Sequence, residues 1–498
     1  MDVAEQLKDD LREGRLDPYR LVDRHVALQR DLQAAKQRIA ELEKQLGGDS
    51  TSKVDEPFSV RAEEQRQQAR GKKKRKAQRK GRRGRITTAD KIAQAERSED
   101  IVPDGLAKSD CQLSHVRPVW RLENGRALLI AYHISRGPKN RYGKIAGVLG
   151  RSEFGLEIVV TLAYLVYVAG LSFDKACLML NFFQHLKLRK SQADALLHQL
   201  SRHWQNEFEI LCTLLANSAV VHADETSWSL NSVWAFLSEK ARVMFFGVHK
   251  DAETLKEILD PATFGGLVIS DDAAVYANFT QSQKCWAHLL RKAIKLTLQA
   301  PDNLDYRTFA DRLLEIYRAA CRVKQDKRLG DAGRTRRIAA LDDEIYELCG
   351  PMWAANLSPL EGLENDYRRL VNEVMRLMLA QELFPFVTTE SVPQPNGKTQ
   401  PVGATNNEAE RTLRSPAQAR KTGRTNKSMS GARRQTIVTS VLESLRLYLP
   451  TFTLTSVIAE IQRWVEKGRS CFTDLLRKLK LPVPQQSVLD RVLPQPSG

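Results

Sequence analysis

The sequence predicts an α/β protein in which helices cover both faces of a mixed β-sheet. Within residues 216–300, short β-branched and aromatic runs alternate with helical stretches, in the order three strands, helix, strand, helix, strand, helix. Residues 151–215 and 301–385, on either side, have a helical pattern throughout. The chain has 498 residues, enough for about two to four domains.

The composition favours a protein that binds nucleic acid. The net charge of +17 has the sign needed to bind a polyanion. The first residues are too charged for a secretion signal, and the most apolar stretch, 158–171, is shorter than the roughly 20 residues of a membrane span. The seven cysteines include no CxxC pair, which is typical of a reducing cytosol. We therefore expect a cytoplasmic, nucleoid-associated protein with no membrane partner.

The first segment, residues 1–48, predicts a coiled coil. After a first step of seven residues, apolar residues recur in steps of four and three as far as Leu46, and two glycines follow. Arg, Lys, Gln and Glu are dense at the flanking positions, which favours self-association into a homodimer or a larger homo-oligomer. The alternative is one amphipathic helix that packs on its own chain.

The next segment, residues 49–99, has the composition of a disordered basic linker. Its block ARGKKKRKAQRKGRRGR, residues 69–85, concentrates charges that repel one another until they meet phosphates. We expect contact with the DNA backbone, which carries no sequence information. The alternative is a solvated tail with no specific role. The central residues of the block are Lys72, Lys73, Lys74, Arg75 and Lys76.

Residues 151–215 predict a helical domain. A first helix is expected around 156–169, a second capped by Ser172, and a third capped by Ser191. The last two helices and the short basic turn between them resemble a helix-turn-helix that binds DNA. A packing role for both helices is the favoured alternative.

The remaining segments complete the predicted core. The element order of residues 216–300 matches the first part of an RNase H-like core. Residues 301–404 predict a helical insertion and a loop, and residues 405–481 predict the C-terminal part of the core. The tail, 482–498, is rich in Pro, Gln and Ser and is expected to be disordered.

Three acids in separate segments fit one metal site. Asp224 ends the first predicted strand and Asp271 ends the fourth, so both carboxylates project from one edge if these strands are neighbours. Glu410 lies on a late helix that starts at Thr405 or Asn406. Carboxylates suit Mg²⁺, and two such ions about 4 Å apart can activate a nucleophile and stabilise the leaving oxygen. Activation of the nucleophile and stabilisation of the leaving oxygen are the two roles that phosphodiester transfer requires.

Neighbouring residues leave alternatives open. An acidic residue lies close to each candidate, and an aspartate after a strand is also a common turn or capping residue. The competing acids are Glu225, Asp272 and Glu408. Asn407 and Arg414 share a helix face with Glu410, and Arg414 can reach a phosphate.

Three further side chains near the acids favour structural roles. His222 lies two residues before Asp224, on the same strand face, and is expected to be a satisfied neighbour and not a ligand. Trp228 and Trp286 could stack on bases, but core packing is favoured for both.

At these residues the chain resembles the insertion sequence 66 transposases. HADETSW, SDDAAVY, CWAHLLRK and NNEAERTLR occur in this order, a combination that is quite specific. The family's second acid lies five residues before a tyrosine, which fits Asp271 and Tyr276. Its glutamate directly precedes an arginine, which fits Glu410 and Arg411. The resemblance implies a DDE transposase with an RNase H-like core, in which Asp224, Asp271 and Glu410 are catalytic residues and metal ligands.

The resemblance also implies an activity. The enzyme would cut DNA at the ends of a bacterial insertion sequence with water, and the freed 3′-hydroxyls would attack target DNA, with two Mg²⁺ ions that Mn²⁺ can replace. The partners would be double-stranded DNA, contacted also by Arg411 and Arg414, and candidate accessory proteins. The alternatives are a transposase-derived DNA-binding protein without catalysis and a metal-dependent nuclease without strand transfer. The presence of all three acids counts against the first alternative.

Two segments depart from the family pattern. Residues 100–150 are predicted to be irregular and stand in place of a Cys-pair zinc-binding region. They offer only Cys111 and His115, too few ligands for a site, so recognition of DNA ends is expected to depend on the basic block. After Glu410, KTGRTNKSMSG replaces a more apolar run, which leaves the role of residues 420–424 open.

Overall fold

A computed structural model describes residues 86–354 and 361–493. The predicted coiled coil and the basic block lie outside these residues. Within the described part of the chain, no helix combines the length and apolar character needed to cross a membrane.

The described chain begins with a small sheet. Its elements are helix α1 (Thr88–Ala93) and strands β1 (Arg97–Ile101), β2 (Gln112–Glu123), β3 (Arg126–Gly137) and β4 (Arg141–Tyr142). β2 and β3 pair antiparallel, and β1 pairs parallel with β3. Asn124 and Gly125 form the turn between β2 and β3, with φ of 50° and 78°. Asn-Gly is a strong hairpin signal because both residues tolerate positive φ.

This sheet corrects two predictions. Residues 100–150 are not irregular, and the linker predicted over 49–99 is wrong for its last part, since α1 and β1 lie there. The hairpin has a signal in the sequence, since Asn124 and Gly125 lie between two runs that contain β-branched and aromatic residues.

Three helices follow: α2 (Leu156–Ala163), which continues as a π-helical turn (Tyr164–Val168), α3 (Phe173–Gln184) and α4 (Lys190–Ala216). Ser172 caps α3 as predicted, since its hydroxyl accepts a hydrogen bond from the Lys175 N–H at 3.2 Å. Ser191 is not a cap, because α4 already begins one residue earlier and Arg189 occupies the N-cap position. Trp204 and Phe208 of α4 are buried, which gives this helix a packing role.

The central sheet has five strands. They are β5 (Val220–Ser227), β6 (Ser232–Ser238), β7 (Arg242–Val248), β8 (Leu267–Ser270) and β9 (Ser282–Lys284), with helix α5 (Ala252–Ile258) between β7 and β8. Their spatial order is β7-β6-β5-β8-β9. β5, β6 and β7 pair antiparallel, whereas β5, β8 and β9 pair parallel. The prediction of an α/β protein with a mixed sheet is confirmed.

The rest of the described chain is mainly helical. Its helices are α6 (Trp286–Gln299), α7 (Leu304–Gln325), α8 (Asp331–Ala354), α9 (Gly362–Leu379), α10 (Pro385–Thr388), α11 (Asn407–Lys421), α12 (Met429–Tyr448), α13 (Leu454–Lys467), α14 (Cys471–Lys478) and α15 (Val488–Val492). Strands β10 (Val392–Pro393) and β11 (Thr399–Gln400) form a short hairpin before α11. α15 contradicts the prediction of a disordered tail for residues 488–493, because Leu489 and Leu493 are fully buried. Residues 494–498 lie outside the described part of the chain.

The sheet separates distinct cores. On one face, Val221, Ala223 and Phe236 pack with α4 and α12. On the other face, Val220 and Ile269 pack with α6 and the helical insertion. A smaller cluster on this second face joins β6 and β7 to Leu413 of α11. Helix α11 therefore lies on the sheet face to which even-numbered residues of β5 point.

Candidate active site

The strands that carry the two aspartates are neighbours. β5 and β8 pair parallel, and His222 and Ile269 are their last paired residues. Asp224 and Asp271 each follow two residues later, and the charge of Asp271 acts on Asp224. Both carboxylates therefore lie at one edge of this strand pair, on the face that also receives α11. Asp224 does not end its strand as predicted, because β5 continues to Ser227 along β6. It lies instead where the pairing of β5 with β8 has ended.

Asn406 positions the helix that carries the third acid. Its side-chain amide donates a hydrogen bond to the Ala223 carbonyl at 2.7 Å, and its backbone N–H donates to Cys285 Sγ at 3.1 Å. Asn406 is fully buried and occupies the N-cap position of α11, within the start predicted for this helix. The first turn of α11 is thus attached beside Asp224, and Glu410 follows one turn later.

Burial and the neighbouring acids change the pKa of Asp224. Burial, and after it the charge of Glu225, are the main causes that raise the pKa of Asp224 to about 7. The Glu225 N–H opposes this effect by donating a hydrogen bond to Asp224 Oδ1 at 2.9 Å. The charges of Asp271 and Glu410 add smaller upward contributions to the same pKa. The fold therefore brings the charges of Asp271 and Glu410 close enough to act on the buried Asp224.

The acid next to Asp224 points elsewhere. Glu225 lies on the opposite face of β5, because successive strand residues alternate. Its carboxylate accepts hydrogen bonds from Lys250 Nζ, at 2.6 Å, and from the Tyr276 hydroxyl. Glu225 is therefore engaged in an ion pair away from α11, with its own side chain buried and that of Lys250 half-exposed.

The other two competing acids are also paired. Asp272 forms an ion pair with Arg376. Glu408 accepts hydrogen bonds from Arg242 at 2.7 Å and from Gln400 at 2.9 Å. In contrast, neither Asp224 nor Asp271 forms an ion pair within the described residues. The Asp271 carboxylate accepts a hydrogen bond from the Ala273 N–H at 3.1 Å.

Glu410 has two partners that the sequence analysis missed. Arg291 Nη2 lies 3.0 Å from both carboxylate oxygens, and His288 Nδ1 lies 3.7 Å from one of them. His288 and Arg291 are three residues apart on α6, and so share a helix face. The motif CWAHLLRK contained both residues, but only the packing of α6 beside α11 brings them to an acid 119 residues later in the chain.

Trp228, Trp286 and His222 are buried. The Trp228 indole N–H donates to Asn426 Oδ1 at 3.0 Å, and that of Trp286 donates to the Leu383 carbonyl at 2.6 Å, so the prediction of core packing is confirmed for both. The prediction of a satisfied His222 is wrong for its Nδ1, which has no hydrogen-bond partner in the described chain. Burial lowers the pKa of His222.

The basic residues of α11 and of the segment that follows it divide into two groups. Arg411 and Arg414, predicted to contact DNA, are exposed on the helix surface. Arg420 and Arg424 instead donate to backbone carbonyls, to Ser227 at 2.7 Å and to Gly170 at 2.5 Å. The second pair thus ties the end of α11 to β5 and to the turn before α3, which gives a role to the segment left open by the sequence.

The family model of the transposase IS66 family matches residues 151–434, more than half of the chain. The chain belongs to the IS66 transposase family. A search of curated proteins finds no significant match. In this IS66 transposase, the matched region begins just before α2 and ends within α12, so it contains the central sheet, the helical insertion and all three acids. The small N-terminal sheet lies outside it.

Proposed function

We propose that this IS66 transposase cleaves DNA at the ends of an insertion sequence and joins those ends to target DNA through Asp224, Asp271 and Glu410. The observation that carries the proposal is the convergence of these acids, since the charges of Asp271 and Glu410 act on Asp224 where β5, β8 and α11 meet. The transposase family implies DNA as the partner. The net charge of +17 agrees with it.

The central sheet supports an RNase H-like core. Three antiparallel strands come first in the chain, and the first of them then pairs parallel with β8, which pairs parallel with β9. In this proposal, residues 301–404 are an insertion between the sheet and the helix that carries Glu410. The order agrees with the element order expected from the sequence.

The acids fit Mg²⁺. Asp224 and Asp271 offer carboxylate oxygens at one edge of the strand pair, and the raised pKa of Asp224 reflects its burial and the negative charge of Glu225. When bound there, magnesium ions would activate the attacking oxygen and neutralise charge on the leaving oxygen. Asp224 and Asp271 would hold them from the sheet, and Glu410 from the helix. Mn²⁺ would substitute, since it prefers the same oxygen ligands.

The chain's own residues would position DNA around these ions. Arg411 and Arg414 are exposed on the helix that carries Glu410 and can contact phosphates. Arg291 is half-exposed and bound to Glu410, so it can exchange this carboxylate for a phosphate. The basic block at Lys72–Lys76 would add affinity, and the predicted coil would join two subunits on two DNA ends.

A strand-transfer assay with paired element ends, target DNA and Mg²⁺ tests the proposal. We expect joined products from the parent, and neither cleavage nor joining from Asp224→Asn, although DNA binding persists. Cleavage without joining would indicate a nuclease. Binding without Mg²⁺-dependent cleavage by the parent would indicate a transposase-derived DNA-binding protein.

A further inference from the structure

A second set of potential metal ligands lies beside the acidic site. One ligand atom each from Cys285, His288 and Glu410 lies within 4.8 Å of the other two. Cys285 occupies the N-cap position of α6, and His288 follows within its first turn. Glu410 reaches the same point from α11. The group combines a sulfur, an imidazole nitrogen and a carboxylate, unlike the all-oxygen site formed with the aspartates.

The spacing of these atoms suits a tetrahedral transition-metal ion. Zinc ligands lie about 2.0 to 2.3 Å from the ion, so two ligand atoms of a tetrahedral site are roughly 3.3 to 3.8 Å apart. His288 Nδ1 and Glu410 Oε1 are already 3.7 Å apart. The two ligand atoms that lie furthest apart must approach each other by about 1 Å, and side-chain rotation allows this movement. Thiolate and imidazole together favour Zn²⁺ over Mg²⁺.

The surroundings of the sulfur support a bound cation. Cys285 is 1% exposed, and its Sγ accepts a hydrogen bond from the Asn406 N–H at 3.1 Å. Such bonds to sulfur are typical of the groups that orient metal ligands. The sulfur also lies at the positive end of a 14-residue helix. Burial nevertheless raises the pKa of the Cys285 thiol, so a thiolate at this position needs the charge of a bound cation.

His288 supplies a free nitrogen. Its Nδ1 is buried and has no hydrogen-bond partner among the described residues. A buried ring nitrogen in this state can bind a metal ion when the other nitrogen holds the proton. The atom also faces Glu410, as the distance of 3.7 Å shows.

We propose that Cys285, His288 and Glu410 bind Zn²⁺, and that this ion competes with Mg²⁺ for Glu410. On binding, the thiol proton is released to solvent and a sulfur–zinc bond forms. Arg291 now neutralises Glu410 from 3.0 Å and must release one oxygen, which its half-exposed position allows. The proposal that Zn²⁺ binds here does not depend on the proposed function, whereas the competition between Zn²⁺ and Mg²⁺ does.

Cobalt titration of the purified full-length chain tests ion binding without DNA. Co²⁺ adopts the zinc geometry, and a bound thiolate gives a sulfur-to-cobalt charge-transfer band. We expect this band to saturate at one Co²⁺ per chain and to be displaced by Zn²⁺. Cys285→Ser should lose the band and weaken binding by more than about tenfold. Arg291→Gln should bind Co²⁺ more tightly, because the guanidinium that competes for Glu410 is removed.

The matched control is Cys212→Ser. Cys212 is 2% exposed and belongs to the core on the opposite face of the sheet. Cys212→Ser should keep the band, and circular dichroism should give folded spectra for both serine variants. Absence of the band in the parent, or its full retention in Cys285→Ser, would overturn the site.

A second assay tests the competition. Zn²⁺ at concentrations well below that of Mg²⁺ should inhibit DNA cleavage by the parent, and excess Mg²⁺ should restore it. If cobalt binds through Cys285 but Zn²⁺ leaves cleavage unchanged, the competition is refuted and the ion site stands. If the parent never cleaves with Mg²⁺, the proposed function fails while the cobalt result is unaffected.

Discussion

Asp224 is the side chain whose chemistry the fold changes most clearly. Burial and the adjacent charge of Glu225 raise its pKa to about 7. Without a metal ion, Asp224 is therefore largely protonated in mildly acidic solution and ionised at alkaline pH. A bound divalent cation would stabilise the ionised form. The fold therefore makes ionisation of Asp224 unfavourable at the point where we propose that the metal ion binds.

The raised pKa predicts how stability depends on pH. The native state holds the Asp224 proton more tightly than the unfolded chain, so this contribution to stability is lost as pH rises from about 4 to 7. We compare the unfolding free energy of Asp224→Asn with that of the parent, both in EDTA. The difference, variant minus parent, should therefore be larger at pH 8 than at pH 5 by about 1 to 3 kcal/mol. Urea unfolding at both pH values measures this gain.

The control for this measurement is Asp104→Asn, at an exposed loop position of the small sheet. Its stability difference from the parent should not change between the two pH values. A pH-independent difference for Asp224→Asn would show that the carboxyl titrates as in the unfolded chain, and would contradict the buried, acid-rich environment.

Single residues show what the sequence could supply. The sequence predicts that Asp224 and Glu225 point to opposite faces of β5, because side chains alternate along a strand. It does not predict which of the two faces α11 covers, since that depends on tertiary packing. The partnership of Glu410 with Arg291 and His288 could not be predicted, because helical spacing places two residues on one side but does not name the element packed there.

At the scale of elements, hydroxyl groups of α12 pair with the outer edge of β7. Four residues of a helix rise about 6 Å, close to the rise of two strand residues, so every fourth helix residue can meet every second strand residue. The pairs are Thr436 with Phe246 at 3.0 Å, Ser440 with Met244 at 2.9 Å and Ser444 with Arg242 at 2.9 Å. In each pair the strand N–H donates to the hydroxyl, so α12 satisfies N–H groups at a sheet edge that has no neighbouring strand in the described part of the chain.

Removal of the middle hydroxyl should destabilise the protein. Ser440 is fully buried, so Ser440→Ala leaves the Met244 N–H unpaired away from water. We expect a loss of about 1 to 3 kcal/mol in unfolding free energy. The exposed Ser109→Ala is the control and should change it by less than about 0.5 kcal/mol. If urea unfolding gave the same change in free energy for Ser440→Ala and Ser109→Ala, the N–H groups at the edge of β7 would not depend on the hydroxyl groups of α12.

Elements with strong periodicity were predictable, and weakly patterned ones were not. The strands of the central sheet are apolar and β-branched, so their existence and order followed from the sequence. The hairpin at Asn124 and Gly125 was overlooked despite its turn signal. Helix α15 was hidden by the surrounding Pro and Gln, although Val488, Leu489, Val492 and Leu493 are spaced for one buried helix face.

For the whole molecule, the basic block is predicted to supply affinity and not sequence choice. Replacement of Lys72, Lys73, Lys74, Arg75 and Lys76 by Ala should weaken binding to all duplexes similarly, because phosphate contacts do not read bases. The slope of log affinity against log salt should become shallower by up to about 4 to 5. Filter binding at several salt concentrations measures it, and an unchanged slope would refute phosphate contact.

The predicted coil should determine the oligomeric state. Leu32→Asp with Ile39→Asp places charges in the apolar seam of residues 1–48, and should separate the protomers. Light scattering of parent and variant, with and without end DNA, measures the mass. A parent that is monomeric at micromolar concentration even on DNA would assign the seam to packing within one chain.

The central claim is that Asp224, Asp271 and Glu410 form the site of DNA cleavage. The adjacent pair Asp271 and Asp272 tests it most directly, because both substitutions are nearly isosteric and only Asp272 is ion-paired with Arg376. The measurement is the rate of Mg²⁺-dependent cleavage of end DNA. Asp271→Asn should lower it on the order of a thousandfold with DNA binding retained, and Asp272→Asn by less than tenfold. Normal cleavage by Asp271→Asn with loss in Asp272→Asn would contradict the account.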